Sequence, residues 1–210
     1  MRALIIANGT HPSLRLVRKI LNEVDIIICA DGGANYARKQ KITPDIIIGD
    51  FDSITEETRN YFADIKQLHI KDQYSTDLEK AIAYCIKKKY YEVIITGAFG
   101  SRVDHTTGSL GCFKKFHDKI HIVFIDNDAT VSRIDKSIQF HSTAGEKISL
   151  IPLDRCTGVT TQNLRYPLKN DVLEIGVREG ISNEATDSTV SIKVKKGTLL
   201  LYRFHNQIKN

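Results

Sequence analysis

The sequence predicts an N-terminal α/β domain, a Rossmann-like and mostly parallel sheet with flanking helices, followed by a C-terminal antiparallel β-sandwich-like domain. Three observations carry this. Up to about Ile134, short Ile/Val-rich runs alternate with segments of helical period. Those runs are continuous rather than alternating, as strands buried on both faces of a parallel sheet are. After about Asp135 the helical period disappears and short strands separated by Gly, Asn and Asp turns replace it. The expected domains are therefore 1–134 and 135–210, a division compatible with a chain of 210 residues.

The first run, residues 3–7, precedes a segment, 13–22, in which Leu14, Val17, Ile20 and Leu21 recur at helical spacing. Residues 26–30, 45–48, 93–96 and 120–125 read as further buried strands. The best-marked helix is 78–88, where Leu78, Ala81, Ile82, Cys85 and Ile86 share a face. Thr76 with Glu79 three residues on gives it a capping-box entry. In the second half, 147–152, 172–175, 190–194 and 198–204 read as strands. Val190, Ile192 and Val194 alternate with Ser191, Lys193 and Lys195, and Lys196-Gly197 is expected to turn directly into the next strand. So small a β unit buries little apolar area alone, so it is expected to pack against another surface or a second copy.

With 41% hydrophobic and 26% charged residues, 13 Gly and 4 Pro, the composition is globular and excludes disorder as the main state. The longest charge-free stretch, residues 3–14, is far short of the ~18 apolar residues a spanning helix needs, so no membrane span is expected. No signal-peptide pattern opens the chain, and a cytoplasmic location is the expectation. The net charge of +5 comes from dispersed lysines without interleaved aromatics, which argues against a nucleic-acid partner. Cys29, Cys85, Cys112 and Cys156 match no CxxC spacing and are expected in the core.

Ligands of an open α/β sheet bind outside the carboxyl ends of its strands, so the polar residues ending each apolar run are the candidates. Asp31 ends the second run and precedes Gly32 and Gly33, which would let backbone approach a phosphate; a helix N-cap is the competing reading. After the third run come Gly49, Asp50, Phe51, Asp52 and Ser53. Two carboxylates one residue apart in a loop can both turn toward a hard cation such as Mg²⁺, although Asp52 or Ser53 could instead cap a helix starting near Thr55. Asp72, Gln73, Tyr74, Ser75, Thr76 and Asp77 lead into the capped helix, where Asp77 also suits the helix dipole. After residues 93–96 follow Gly97, Ala98, Phe99, Gly100, Ser101, Arg102, Val103, Asp104 and His105. There Arg102 offers a fork for phosphate oxygens and Asp104 a metal ligand or proton acceptor, or the two form a structural pair at a helix start. Together these loops describe a phosphate and Mg²⁺ site, while neither GxxxxGK[ST] nor GxGxxG is present.

DGGAN at 31–35, PDxxxGDFDS at 44–53, the Lys71-Asp72 stretch ending in Thr76, Asp77 and Glu79, and GxxGxRxDH at 97–105 resemble the thiamine pyrophosphokinase family. So do LRYPL at 164–168 and GISNE at 180–184, so the resemblance spans nearly the whole chain. It implies a Mg²⁺-dependent transfer of the β,γ-diphosphoryl group of ATP to the hydroxyl of thiamine, giving thiamine diphosphate and AMP, in a homodimer with active sites between subunits. By motif, Asp50, Asp52 and Asp77 would hold metal, and Asp31, Gly32, Gly33, Gln73, Thr76, Gly97, Gly100 and Arg102 would serve ATP. Asp52, Asp77, Arg102 and Asp104 would be catalytic, with Asp77 or Asp104 taking or orienting the hydroxyl proton. Ser182 and Asn183 would line the thiamine pocket. The chain departs from the family pattern in two places. The loop before Thr76-Asp77 is longer than in the short bacterial form, and Ala185 stands where a bulky aromatic is expected, in a sequence without Trp. Two other readings compete: a diphosphokinase of another hydroxymethyl heterocycle, such as a pterin, and a non-catalytic nucleotide or thiamine sensor.

Overall fold

The structure, a computed structural model, describes residues 1–100 and 102–205; Ser101 of the glycine-rich loop lies outside the described residues. Two compact units divide the chain, 1–127 and 128–210. The division falls between Asn127 and Asp128 rather than after Ile134, because the strand β7 (Ala129–Ile134) pairs along its whole length with β14 (Leu199–Phe204) near the chain end.

The first unit contains β1 (Arg2–Ile6), α1 (Leu14–Leu21), β2 (Ile26–Ala30), α2 (Gly33–Lys39), β3 (Ile46–Gly49) and α3 (Glu56–Tyr61). It continues through β4 (Lys66–His69), α4 (Asp77–Lys87), β5 (Glu92–Thr96), α5 (Val103–Lys115) and β6 (His121–Ile125). Its strands run parallel in the order β6-β5-β1-β2-β3-β4. Both faces of the sheet are covered. Leu4, Ile6, Cys29 and Ile47 join Val17 and Ile20 of α1 and Ala34 and Ala37 of α2 in one buried cluster. Ile5, Ile28 and Ile48, alternating with them, point to the opposite face, and α4 packs across β1 to β3. Continuous Ile/Val runs are the sequence consequence of this two-sided burial.

Helix entries follow local chemistry. The Ser13 hydroxyl accepts from the Leu16 N–H to cap α1, and Thr55 does the same for α3 through Thr58. Thr55, not Asp52 or Ser53, therefore starts that helix. α4 carries the full capping box between Thr76 and Glu79. β4 was not apparent in the sequence, because this edge strand, KQLH, buries little beyond part of Leu68 and needs no apolar run.

The second unit adds β8 (Ser137–His141), β9 (Lys147–Pro152), β10 (Cys156–Gln162), β11 (Asp171–Leu173), β12 (Gly180–Glu184) and β13 (Thr189–Lys193). Its strands form two antiparallel layers, β12-β9-β14-β7 and β11-β10-β13-β8. Inward-facing Ile148, Leu150, Leu199 and Leu201 from one layer meet Val159, Leu173, Val190 and Ile192 from the other in a single core. One expectation is corrected here. Lys196-Gly197 does not make a hairpin, because β13 pairs with β8 and β10 whereas β14 pairs with β7 and β9. Gly197 at φ +96° lets the chain change layers instead. The strand expected at 172–175 shortens to Asp171–Leu173, since Glu174 and Arg178 bridge across a tight turn. All four cysteines are buried and unbridged, and no described helix is long and apolar enough to cross a membrane.

The entry to α2 is pressed so closely on β1 that a Cβ on Gly33 would run into the Ile6 carbonyl, whereas a Cβ on Gly111 of α5 would meet nothing within 4 Å. Gly33→Ala is therefore expected to lose about 2–3 kcal/mol or fail to fold. Gly111→Ala is expected to gain up to about 1 kcal/mol. Urea midpoints of the two variants measure both.

Candidate active site

The strand order of the first unit reverses at β1: the chain steps outward through β2, β3 and β4 on one side and through β5 and β6 on the other. The loops leaving β1 and β5 thus diverge and open a crevice at the carboxyl edge of the sheet. A cavity of about 600 Å³ lies there, walled by Ala7, Asn8 and Gly9 after β1, Asp31 after β2, and Gly97, Phe99 and Gly100 after β5. Thr76, Asp77, Arg102 and Asp104 also line it. The two exit loops are tied together by Gly9 N–H to the Gly97 carbonyl and Thr10 N–H to the Phe99 carbonyl, each 2.6 Å. Asn8 and Gly9 were missed by sequence reasoning, although an Asn-Gly pair directly ending the first buried strand marks such a loop.

Asp31 is the most buried of the carboxylates, 2% exposed, and sits in the left-handed region at φ 43°. It does not cap α2, whose cap position is Gly32 without a side-chain bond. Its Oδ2 accepts the Ser53 N–H at 3.1 Å, while Oδ1 is buried with no hydrogen-bond partner. Burial first, then the negative charges of Asp77 and Asp52, raise its carboxyl to about 6 against the lowering effect of the Ser53 N–H.

Asp50 follows β3. Phe51 behind it adopts φ 67°, uncommon for a bulky side chain and costing roughly 1–2 kcal/mol. The Phe51 ring stacks on His69 at 5.2 Å and lies under the Arg59 guanidinium, contacts that hold the turn. The reversal directs Asp50 and Asp52 differently. Oxygens of Asp31, Asp50 and Asp77 lie within 4.8 Å of one another, the spacing of a cation's ligands. Asp52 is outside that group: its Oδ1 accepts the Ser53 hydroxyl at 2.8 Å and its side chain reaches Asp31. Asp31 thus holds the place in the cluster expected for Asp52. Asp77 opens α4, and the buried Lys80 places its Nζ 2.9 Å from Asp77 and 3.9 Å from Asp50. Lys80 was overlooked because it falls among the apolar positions of α4, although its i,i+3 spacing from Asp77 gave the signal.

The remaining expected residues divide. Gly32 abuts the Asn8 side chain so tightly that a Cβ would collide with it. Thr76 borders the cavity but spends its hydroxyl on the capping box. Gln73 is exposed in a loop shaped by Asp72, which accepts from the Tyr74 N–H and the Ser75 hydroxyl; both hydrogen bonds hold the Asp72 carboxyl below its usual range. Arg102 and Asp104 form an exposed two-pronged pair, Nη2 to Oδ2 at 2.6 Å and Nε to Oδ1 at 3.2 Å. The guanidinium pulls the Asp104 carboxyl down to about 2, which makes it a weak base.

In the second unit, β12 bulges against β9 at Ser182, which has φ 58° and donates its N–H to the Ser149 hydroxyl at 3.0 Å. Asn183 is 5% exposed and its side chain acts as a brace. Its Nδ2 donates to the Tyr166 carbonyl at 2.8 Å, and its Oδ1 accepts the N–H groups of Tyr166 and Glu184. Tyr166 is thereby displayed, 62% exposed. Ala185, 1% exposed, packs in the sandwich core and bridges to Leu164.

A parallel sheet with its switch-point cavity floored by glycine and walled by converging carboxylates defines an α/β transferase of the polyphosphate-handling kind. The chain belongs to the thiamin pyrophosphokinase family: residues 17–124 match the family's catalytic domain and residues 133–199 its vitamin B1 binding domain. It is 29% identical to thiamine pyrophosphokinase of Bacillus subtilis (strain 168) over 209 residues, covering 95% of this chain and 96% of that protein. It is 28% identical to thiamin pyrophosphokinase 1 of Caenorhabditis elegans over 204 residues, 89% of this chain and 82% of that one. The crystal structure of the Bacillus subtilis enzyme superposes with a TM-score of 0.85 at 25% identity, covering 98% of this chain and all of that one. That from Geobacillus thermodenitrificans shares the fold with a TM-score of 0.86 at 22% identity, covering 99% of each chain.

Because the folded chain binds the Asp31 proton more tightly than an ordinary carboxyl near 3.8, Asp31 contributes stability at low pH that is lost as pH rises through about 6. Asp31→Asn is therefore expected to raise the Tm of the protein in EDTA at pH 7.5, with the gain shrinking to nothing near pH 4. A gain independent of pH contradicts the burial of a charged Asp31.

Proposed function

We propose that this chain transfers the β,γ-diphosphoryl group of ATP to thiamine in a Mg²⁺-dependent reaction. The hydroxyl oxygen of thiamine bonds to the β-phosphorus, the bridge from the β-phosphorus to the α-phosphate oxygen breaks, that oxygen leaves on AMP, and the hydroxyl proton passes to a base. The observation that carries this reading is the Asp31, Asp50 and Asp77 cluster at the switch-point cavity of a chain matched across both family domains.

The residues fit a hard cation: all three donors are carboxylate oxygens, and the buried Oδ1 of Asp31 has no other partner. Asp31, Asp50 and Asp77 would hold Mg²⁺, with Asp52 adjoining. When bound, the cation supplies neutralisation of phosphate negative charge. The chain's own groups do the rest. Gly97 and Gly100 give backbone access to the polyphosphate, beside Gly32, Gly33, Gln73 and Thr76. Arg102 exchanges part of its bond with Asp104 for phosphate oxygens. Asp77 or Asp104 would take or orient the hydroxyl proton. Ser182, at its exposed bulge, and Asn183, through Tyr166, would form the thiamine side. We further propose a homodimer with active sites between subunits, which sedimentation at assay concentration tests.

AMP release from ATP is expected only when thiamine and Mg²⁺ are both present; AMP formed equally without thiamine, or with a hydroxymethylpterin in its place, contradicts the assignment. Asp77→Asn is expected to lower kcat by at least ~10²-fold, the scale of a lost electrostatic stabiliser. Ser182→Ala is expected to raise KM for thiamine far more than for ATP, and equal effects on both would remove Ser182 from the thiamine side.

A further inference from the structure

Lysine is among the residues least often buried, and a buried ammonium persists only when paired. Lys80 is 5% exposed, and its side chain only 3%. It lies on the inner face of α4 with Leu78, Ala81, Ile82 and Cys85. Its Nζ is 2.9 Å from Oδ1 of Asp77 and 3.9 Å from Oδ2 of Asp50, two of the three carboxylates that crowd within 4.8 Å. Lys80 is not among the residues that wall the cavity.

We propose that Lys80 is a positioning residue: an internal counter-cation that holds the Asp77 and Asp50 carboxylates at ligand spacing when no divalent cation is bound. The inference rests on the reading of the acidic cluster as a cation site. Like charges at this distance repel, and in a half-buried setting water screens them poorly. A fixed, buried ammonium beside Asp77 and Asp50 offsets that repulsion. It reaches Asp77 from one turn further along the same helix, so the capping box that fixes the start of α4 also fixes the pair. Asp31, which has no such partner, keeps an oxygen unsatisfied. The arrangement is thus neutralised in part by the chain and completed by a cation.

The test is thermal unfolding of the full-length protein with EDTA or with saturating Mg²⁺, for wild type, Lys80→Met, Asp77→Asn and the double variant. Methionine keeps the apolar stem and removes the charge. Lys80→Met is expected to lower Tm in EDTA by at least about 5 °C, and Mg²⁺ to recover most of that loss. In the Asp77→Asn background the same change is expected to cost less than half as much. Equal losses in both backgrounds, with an unchanged Mg²⁺ response, would assign Lys80 to packing alone and overturn the proposal. If Lys80→Met does not fold in EDTA, folding of the double variant supports the proposal, and failure of both overturns it. A wild type whose Tm ignores Mg²⁺ would sink the cation site itself, a result separate from the coupling measured in EDTA.

Discussion

Carboxylates repel, and the architecture of the first unit is arranged around keeping three of them together. Oxygens of Asp31, Asp50 and Asp77 come within 4.8 Å although the residues leave three different elements. Each is fixed by a distinct local device. Asp31 is held by a left-handed backbone and the Ser53 N–H, Asp50 by the turn at Phe51, and Asp77 by the capping box of α4. Burying a carboxylate beside like charges costs stability, and the rise of the Asp31 carboxyl to about 6, through burial first and the neighbouring charges after it, is one expression of that cost.

The sheet supplies the geometry that makes this possible. Because all strands of the first unit run parallel, their carboxyl ends present successive loops on one edge, and the reversal at β1 opens the crevice into which they point. Close approach of backbone elements keeps the crevice shallow in side chains: Gly33 lets α2 rest on β1, and Gly9 lets the β1 loop bond to the loop after β5.

The main architecture was legible from residue pattern because two-sided burial forces continuous apolar strands and capping chemistry marks helix starts. β2 and the entry to α4 could be placed from sequence for those reasons. β4 could not, since an edge strand buries little. Neither could the separation of β13 from β14, because a Lys-Gly turn signals a change of direction but not which layer receives the chain. At the site, motif reading found the acidic loops but not how Phe51 sorts their carboxylates, which depends on one backbone angle and two long-range ring contacts. Lys80 escaped notice because periodicity assigns its position to the core, and it is in the core. Asn183 shows the reverse: its motif suggested ligand contact, whereas its amide is largely used to brace Tyr166.

The deciding observation is where a cation sits relative to Asp31, the buried carboxylate with a free oxygen. The direct measurement is the anomalous signal of Mn²⁺ in crystals of the chain grown with a non-hydrolysable ATP analogue. If these three carboxylates hold the cation, the peak lies about 2.0–2.3 Å from oxygens of Asp31, Asp50 and Asp77. A peak bound by Asp52 and Asp104 with Asp31 left unengaged would contradict it.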